Sequence, residues 1–245
     1  MKKFIGNFIE IDEHKSDYLR ICFSPTHQSL QKRWRNSGLS ANFMADYFST
    51  FFPDTDPESQ EKQLIIKDSI SYVANELIEN AMKFSYAPNH YSIFIHMYLY
   101  ADKVIIYVMN SVDPKTIPAF QSHLQKLLSE DANKLYMQRL MFNAEADGES
   151  DVLDPVADTV LNGDISPVDS DSGLGYLTIL NDYEGQIAWK FDEHDERQDE
   201  GQIEGQAAQS TQYLGKKTQN EQVNVLTKFI TVTTMVELKL SALIG

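Results

Sequence analysis

Residues 70–85 read ISYVANELIENAMKFS, and this stretch is predicted to form the helix around which the rest of the chain is organised. Glu76, Asn80 and Lys83 share one face of that helix, because residues three or four apart are neighbours on a helix surface. They lie at the edge of an apolar stripe that recurs at helical spacing: Ile70, Val73, Leu77, Ala81 and Phe84. A carboxylate, an amide and an amine are therefore predicted to point to one place beside the core.

These three groups have the chemistry of a nucleotide site. Asn80 can give its amide oxygen to Mg²⁺, a cation that prefers oxygen ligands. Glu76 can orient or deprotonate a nucleophile, and Lys83 can meet a phosphate as a point charge. The alternative is an amphipathic helix with a solvated polar edge. The stretch alone favours that alternative, since short motifs also occur by chance.

A second stretch, SGLGYLTIL at 172–180, is a glycine turn that runs into an apolar helix. Glycines allow a backbone to approach a ligand closely. The free N–H groups at the start of the following helix suit a phosphate. The alternative is a glycine boundary before an ordinary core helix.

Taken together and in this order, the two stretches resemble the GHKL superfamily, which includes Hsp90, DNA gyrase B, histidine-kinase catalytic domains and the anti-sigma-factor serine kinases. NELIENAMKFS at 75–85 is similar to its N-box, and SGLGYLTIL to its last glycine box. The resemblance implies an α/β fold, a two-layer α/β sandwich of the Bergerat ATP-binding type. Its sheet would be mixed and mostly antiparallel, with helices on one face.

The resemblance also implies Mg-ATP as ligand and a role for each site residue. Asn80 would hold Mg²⁺, and Glu76 would align or deprotonate an attacking hydroxyl. The phosphates would be held by Lys83 and by the backbone of the glycine box, namely Gly173, Leu174 and Gly175.

The expected adenine contacts contain the clearest departure from the family. Family members carry Asp-x-Gly after the second strand of a hairpin, whereas residues 110–112 read Asn-Ser-Val in a predicted turn. Asn110 keeps a carbonyl acceptor for adenine, but Val112 would crowd the base. In the closing strand, where a family threonine contacts adenine, Thr234 matches best, and Thr231 and Thr233 are alternatives.

The remaining elements follow from periodicity and turn residues. A stop is predicted at residues 36–38, with Ser40 as the cap of the next helix, and residues 53–61 are predicted to be a polar link. Residues 111–172 take the position of the family's ATP lid, and residues 192–224 are predicted to be an acidic, mobile loop. Strands are expected over 18–24, 91–100, 104–109, 186–191 and 225–240, and further helices over 26–35, 41–52 and 122–142.

Composition restricts the class of protein. The chain has 245 residues, enough for a single domain over 1–245 whose first 60 residues supply a strand and helices. A net charge of −15 disfavours nucleic acid and anionic membranes as partners. The single cysteine, Cys22, is predicted to be buried and excludes an intrachain disulfide framework. The acidic start and the lack of a long apolar run lead us to expect a cytoplasmic protein.

The arrangement of the two boxes indicates a function. A unit with Glu76 four residues before Asn80 looks most like the anti-sigma-type serine kinases. RWRNSGLSANFMADYF at 33–48 and ILNDY at 179–183 further resemble the SiaB-like group of bacterial kinases, which act on small STAS-like partner proteins. The resemblance covers about residues 18–240, without the two insertions.

The predicted function is that of a regulatory protein serine/threonine kinase that transfers phosphate from Mg-ATP to a STAS-domain-like partner. The alternative is a non-catalytic, anti-sigma-like switch that binds its partner and holds ATP weakly or not at all. A lone ATPase ranks last, because no coupled domains are predicted. A homodimer through the aromatic N-terminal helices is a further expectation.

Overall fold

A computed structural model describes residues 2–10, 17–23, 30–86, 91–147, 174–195 and 228–244. The fold is α/β, as predicted, and its sheet has six strands whose described pairings are all antiparallel, whereas a mixed, mostly antiparallel sheet was expected. The strands are β1 (Lys2–Ile5), β2 (Asp17–Phe23), β3 (Ile93–Leu99), β4 (Lys103–Val112), β5 (Gln186–Asp195) and β6 (Lys228–Lys239). The helices are α1 (Leu30–Ser49), α2 (Pro57–Phe84), α3 (Ile117–Ser129), α4 (Ala132–Asp147), α5 (Leu174–Asn181) and α6 (Leu240–Leu243).

The sheet has the strand order β1-β5-β6-β4-β3-β2, so the two strands nearest the N-terminus form its opposite edges. Side chains alternate between its two faces. One face packs against the helices in the main core and includes Ile95, Ile106 and Val236. The other face carries a smaller cluster that includes Tyr98, Tyr107 and Met235.

Helix α2 is the central helix, and it begins inside the stretch predicted to be a polar link. Its N-cap is Asp56, whose carboxylate accepts from the Ser59 N–H at 3.0 Å, while the Ser59 hydroxyl accepts from the Asp56 N–H at 3.1 Å. This capping box, with Pro57 at the first helical position, starts the helix at residue 57. The predicted link over 53–61 is therefore wrong from residue 57 onwards.

The predicted stop at residues 36–38 is also wrong, because α1 is one helix through these residues. A Cβ added at Gly38 would lie 3.8 Å from Asn75 Oδ1, so Gly38 faces α2 across a close helix–helix contact. The C-terminal half of α1 buries Ala41, Met44, Ala45 and Phe48 in the main core. This packing outweighs the cost of about 1 kcal/mol for a helical glycine.

Replacing Gly38 with alanine is expected to raise the free energy of unfolding by about 0.5–1 kcal/mol, since alanine is the better helix former and the added Cβ meets only an ordinary contact. Thermal or urea unfolding of the two proteins measures this change. A helix that stopped at Gly38 in a left-handed turn would instead lose stability with this substitution.

Three further boundaries differ from the sequence prediction. The region expected to form one helix over 122–142 is two helices, because the chain turns at Glu130 and the Asp131 carboxylate accepts from the Lys134 N–H at 2.8 Å, starting α4. Strand β4 continues through residue 112, so residues 110–112 are not a turn. Strand β5 continues to Asp195 because residues 192–195 pair with β6, which shortens the expected acidic loop. Residues 148–173 and 196–227, the rest of the expected lid and loop, lie outside the described residues.

The N-terminal residues occupy the second face of the sheet, which the sequence did not predict. After Gly6, at a φ of 78°, the Phe8 ring packs 5.9 Å from the Tyr107 ring. The Tyr107 hydroxyl donates to the Ile9 carbonyl at 2.9 Å. Cys22 is exposed on edge strand β2, contrary to the prediction of a buried thiol, because the alternate residues of β2 face the core.

Candidate functional site

The candidate site is the contact between α2 and α5, where the two stretches singled out in the sequence meet. A Cβ added at Gly175 would lie 3.1 Å from Glu76 Cδ and closer still to Glu76 Oε2. Real Cβ atoms are not found at such distances from a carboxylate, so this carboxylate position requires glycine at 175. The structure therefore brings Glu76 against the first turn of α5.

Aromatic residues help to hold α2 and α5 against each other. The Tyr72 ring stacks on the Tyr183 ring, with centroids 5.3 Å apart and planes at 25°. The Tyr72 hydroxyl also lies beside Thr178 on α5. On the far side, Asn181 Nδ2 donates to the Ala132 carbonyl at 3.2 Å and ties α5 to α4. Tyr72 and Tyr183 were not singled out in the sequence, although Tyr72 lies one helical turn before Glu76 on the same face.

The surroundings of Glu76 favour its protonated form. Burial raises the pKa of the Glu76 carboxyl, and the nearby charge of Glu79 raises it further. Glu79 is itself held one helical turn away, where Asn75 Nδ2 donates to its carboxylate at 2.8 Å. A carboxyl group with a raised pKa, set beside a helix start, can take a proton from a hydroxyl more readily than an ordinary surface carboxylate.

Asn80 lies one turn after Glu76 and has an unused polar atom. Its amide nitrogen is buried and has no hydrogen-bond partner in the described part of the chain. A buried amide group without a partner is unfavourable unless a ligand or water completes it. An acceptor oxygen of a ligand would satisfy this nitrogen, whereas a cation would be held by the amide oxygen of the same side chain.

Lys83 continues the same face into the last turn of α2, where it is exposed. Its ammonium lies 5.6 Å from the centroid of the Phe84 ring. Among the described residues it forms no ion pair, and it is therefore available to an anion near the C-terminal end of α2.

Asn110, the expected adenine contact, and Val112, which stands where the family has a glycine, lie in strand β4 and not in a turn. Asn110 is 4% exposed, and its Nδ2 donates to the Ser111 carbonyl at 3.0 Å. Val112 is also 4% exposed and belongs to the main core. Val112 thus occupies core space in the place where the family has a glycine.

The sheet separates Thr234 from its two alternatives. Thr234 pairs with Val108 on one side and Trp189 on the other, both core residues on the helix-bearing face. Thr231 and Thr233 alternate to the opposite face, and the Thr231 hydroxyl lies 2.9 Å from His194 Nε2. Of the three threonines, only Thr234 therefore shares a face with α2 and α5.

Thr234 has a neighbour on α5, Tyr176, which was not singled out in the sequence. Tyr176 follows Gly175, and its hydroxyl lies beside Thr234. Burial raises the pKa of Tyr176, and its ring packs edge-on to Trp189 with centroids 5.6 Å apart. Tyr176 and Thr234 thus lie together where α5 meets the sheet.

The remaining expected phosphate contacts are Leu174 and Gly173. Leu174 is half-buried and is the first residue of α5, whereas Gly173 lies outside the described residues. Within the described ranges, no cluster of three or more His, Cys, Asp or Glu side chains could hold a metal ion. None of the described helices is long and apolar enough to cross a membrane.

Comparison with known proteins adds no assignment. No family model matches the chain. A search of curated proteins also returned no match. The function is therefore argued from the residues of the site.

Proposed function

We propose that this protein is a GHKL-type protein serine/threonine kinase with a Bergerat-type ATP-binding fold. The observation that carries the proposal is the fit of the Glu76 carboxylate against Gly175. This contact places a carboxylate of α2 beside the N-terminal turn of α5, which contains Gly175. A site that aligns a hydroxyl group beside a phosphate requires such an arrangement. The order of elements, with a hairpin after α2 and a closing strand after α5, supports the same fold.

Each group has a role in this proposal. Asn80 would hold Mg²⁺, which when bound neutralises charge on the phosphate oxygens. Because the described residues offer no acidic metal cluster, the other ligands of the ion would be phosphate and water oxygens. Lys83 and the backbone N–H groups at the start of α5 would bind the phosphates.

The transfer itself would use Glu76 as the base. The Ser or Thr hydroxyl of a partner protein forms a bond to the γ-phosphorus of ATP, the bond from that phosphorus to the β,γ-bridging oxygen breaks, and ADP leaves. The hydroxyl proton passes to Glu76, whose raised pKa suits it to hold that proton. The sequence resemblance to SiaB-like kinases supports a small STAS-like protein as the partner.

Calorimetric titration with Mg-ATP tests the site. We expect the wild-type chain to bind Mg-ATP and Asn80→Ala to bind it on the order of 100-fold more weakly, because the substitution removes a direct ligand. Asn42→Ala is the matched control, since Asn42 lies on α1, where it accepts a hydrogen bond from the Ser71 hydroxyl at 2.6 Å. Equal affinities for wild type and Asn80→Ala would remove Asn80 from the site.

A second candidate function, the non-catalytic partner-binding switch, is favoured by Val112 and Asn110. Val112 packs into the core, and the Asn110 amide nitrogen bonds to a neighbouring carbonyl. Both reduce the room and the polar groups available to adenine. No heat with millimolar Mg-ATP, from a folded chain that still binds a STAS-like protein, would select this candidate over the kinase.

A further inference from the structure

The second face of the sheet carries a small apolar cluster that the N-terminal residues cover. Its members are each 3% exposed or less: Tyr98, Ile105, Tyr107, Ala188 and Met235. In the described part of the chain, the partly buried apolar side chains that pack over this cluster are Phe8, Ile9 and Tyr100. Two of these three belong to residues 6–10, which lie outside the strands and are called here the cover segment.

Tyr107 and Met235 hold the middle of the cover segment. The Tyr107 ring lies 5.9 Å from the Phe8 ring, and the Tyr107 hydroxyl donates to the Ile9 carbonyl at 2.9 Å. Burial raises the pKa of Tyr107, so this hydroxyl keeps its proton at neutral pH and remains a donor. The Ile9 N–H donates in turn to Met235 Sδ at 3.2 Å. The sheet therefore fixes an aromatic ring and the backbone of the aliphatic residue that follows it.

Lys190 of β5 adds a positive charge at the end of the cover segment. Its ammonium lies 5.5 Å from the centroid of the Phe8 ring and 3.7 Å from the Glu10 carboxylate. The Lys190 side chain is 17% exposed, and it also pairs with the Asp192 carboxylate at 3.3 Å. In a chain with a net charge of −15, such a lysine is a local site for an acidic group. The surface thus selects an aromatic, an aliphatic and an acidic residue in succession.

The cover segment is held more weakly than the strand before it. Residues 2–5 form β1 and pair with residues 189–192 of β5. In the cover segment, by contrast, the Ile9 N–H donates to a thioether, which is a weak acceptor. The ion pair of Glu10 adds little stability, because the Glu10 side chain is 59% exposed. Since segments held by few backbone hydrogen bonds open more easily than paired strands, the cover segment can leave the sheet while β1 stays paired.

We infer that the surface that Tyr107 and Lys190 form under the cover segment is a docking site for a partner protein. The partner it fits is an extended segment with an aromatic, an aliphatic and an acidic residue in succession, the order of Phe8, Ile9 and Glu10. The cover segment occupies this site and gives way when a partner segment of the same chemistry binds. The exchange buries the apolar cluster again, and exposed apolar surface of this kind is otherwise unfavourable.

A peptide with the sequence of the cover segment, GNFIE with both ends capped, is the probe for this site. Amide NMR titration of the full chain measures its affinity. A double variant, Phe8→Ser with Ile9→Ser, opens the site and should bind the peptide with a Kd on the order of hundreds of micromolar. The wild type should bind it on the order of 10-fold more weakly, because its own cover segment competes at an effective concentration of about millimolar.

A second variant, Gly6→Ala, opens the site without altering any side chain that contacts the cluster. Gly6 has a φ of 78°, and a Cβ there would lie 2.9 Å from the Ile187 carbonyl oxygen, so alanine strains the turn into the cover segment. This variant should bind the peptide several-fold more tightly than the wild type. Met141→Ser is the matched control: Met141 is 62% exposed on α4 and does not belong to the cluster, so this variant should bind as weakly as the wild type.

A peptide in which lysine replaces the glutamate, GNFIK, tests the role of Lys190. It should bind the opened site on the order of 10-fold more weakly than GNFIE, because two positive charges meet at Lys190. In chains that also carry Lys190→Met this difference should disappear or reverse, since the Asp192 carboxylate then lacks its ammonium partner. Equal affinity of the opened site for the two peptides would contradict the requirement for an acidic residue.

Three results would overturn the inference, with circular dichroism melting as the check on folding. One is equal affinity of the peptide for the wild type and the folded double variant. Another is the absence of binding to both opened variants at millimolar peptide. The third is a complex between wild-type and double-variant chains in sedimentation, which would assign the site to the cover segment of a second copy. None of these results bears on Mg-ATP binding at Asn80, so a failure here is distinguishable from a failure of the proposed function.

Discussion

Gly175→Ala is expected to displace the Glu76 carboxylate and to lower the free energy of unfolding by about 0.5–1.5 kcal/mol, the usual cost of moving a flexible side chain off its rotamer. The added methyl group would lie 3.1 Å from Glu76 Cδ and nearer to its oxygen, so either the carboxylate or α5 has to move. In the proposed kinase this movement should also reduce phosphoryl transfer on the order of 100-fold, because displacing reacting groups by about an ångström has that effect. Urea unfolding and transfer assays measure the two effects.

A double-mutant cycle isolates this contact from a general effect of alanine. In a Glu76→Ala background the carboxylate is gone, so Gly175→Ala should recover the lost stability or become stabilising. Gly38→Ala serves as the helical glycine with room for a methyl group. If Gly175→Ala destabilises the protein equally with and without Glu76, the close approach of the two residues does not explain the effect.

Glu76→Gln is expected to leave Mg-ATP binding unchanged and to slow phosphoryl transfer to a small STAS-domain protein on the order of 10²–10⁴-fold. Glutamine keeps the size of the side chain but cannot accept the hydroxyl proton. Measuring ADP release and phosphorylated partner together separates binding from transfer. Full transfer by Glu76→Gln would remove Glu76 from the role of base.

The pH dependence provides an internal control for that prediction. Burial and the charge of Glu79 raise the pKa of Glu76, and a base acts only when it is deprotonated. Transfer by the wild type should therefore fall as the pH drops through this raised pKa, whereas the residual rate of Glu76→Gln should lack that inflection. Glu79→Gln should move the inflection to lower pH, because it removes a neighbouring negative charge.

Five of the six strands could be predicted from sequence, from runs of β-forming residues and, in β3, from regular alternation, whereas β1 at Lys2–Ile5 was not predicted. Ile93, Ile95 and Met97 face the main core, as the alternation of β3 predicts. The close approach of Glu76 to Gly175 is suggested only by the resemblance of two motifs, taken in their order along the chain. No local sequence pattern indicates it. The preference for Thr234 over Thr231 and Thr233 required the register of β6, since sequence spacing alone left all three open.

The errors arose where long-range packing outweighed local signals. Taken alone, Gly38 predicts the end of a helix, but in the structure it lies inside the continuous helix α1 and faces Asn75 of α2. Residues 110–112 remain in β4 because Val112 pairs with Ile230 of β6, a partner more than a hundred positions away. Phe8 and Ile9 contact Tyr107 of β4, a strand that is remote in the chain. The sequence of a short N-terminal stretch does not indicate which strand it will pack against.

The most direct test of the central claim is a map of where Mg-ATP binds. Backbone amide NMR spectra of the full chain, recorded with and without a non-hydrolysable Mg-ATP analogue, provide it. We expect the largest shift changes at Gly175, Tyr176 and Asn80, with smaller ones at Glu76 and Lys83. Unchanged spectra at millimolar analogue, or changes confined to residues remote from α2 and α5, would contradict the proposed site.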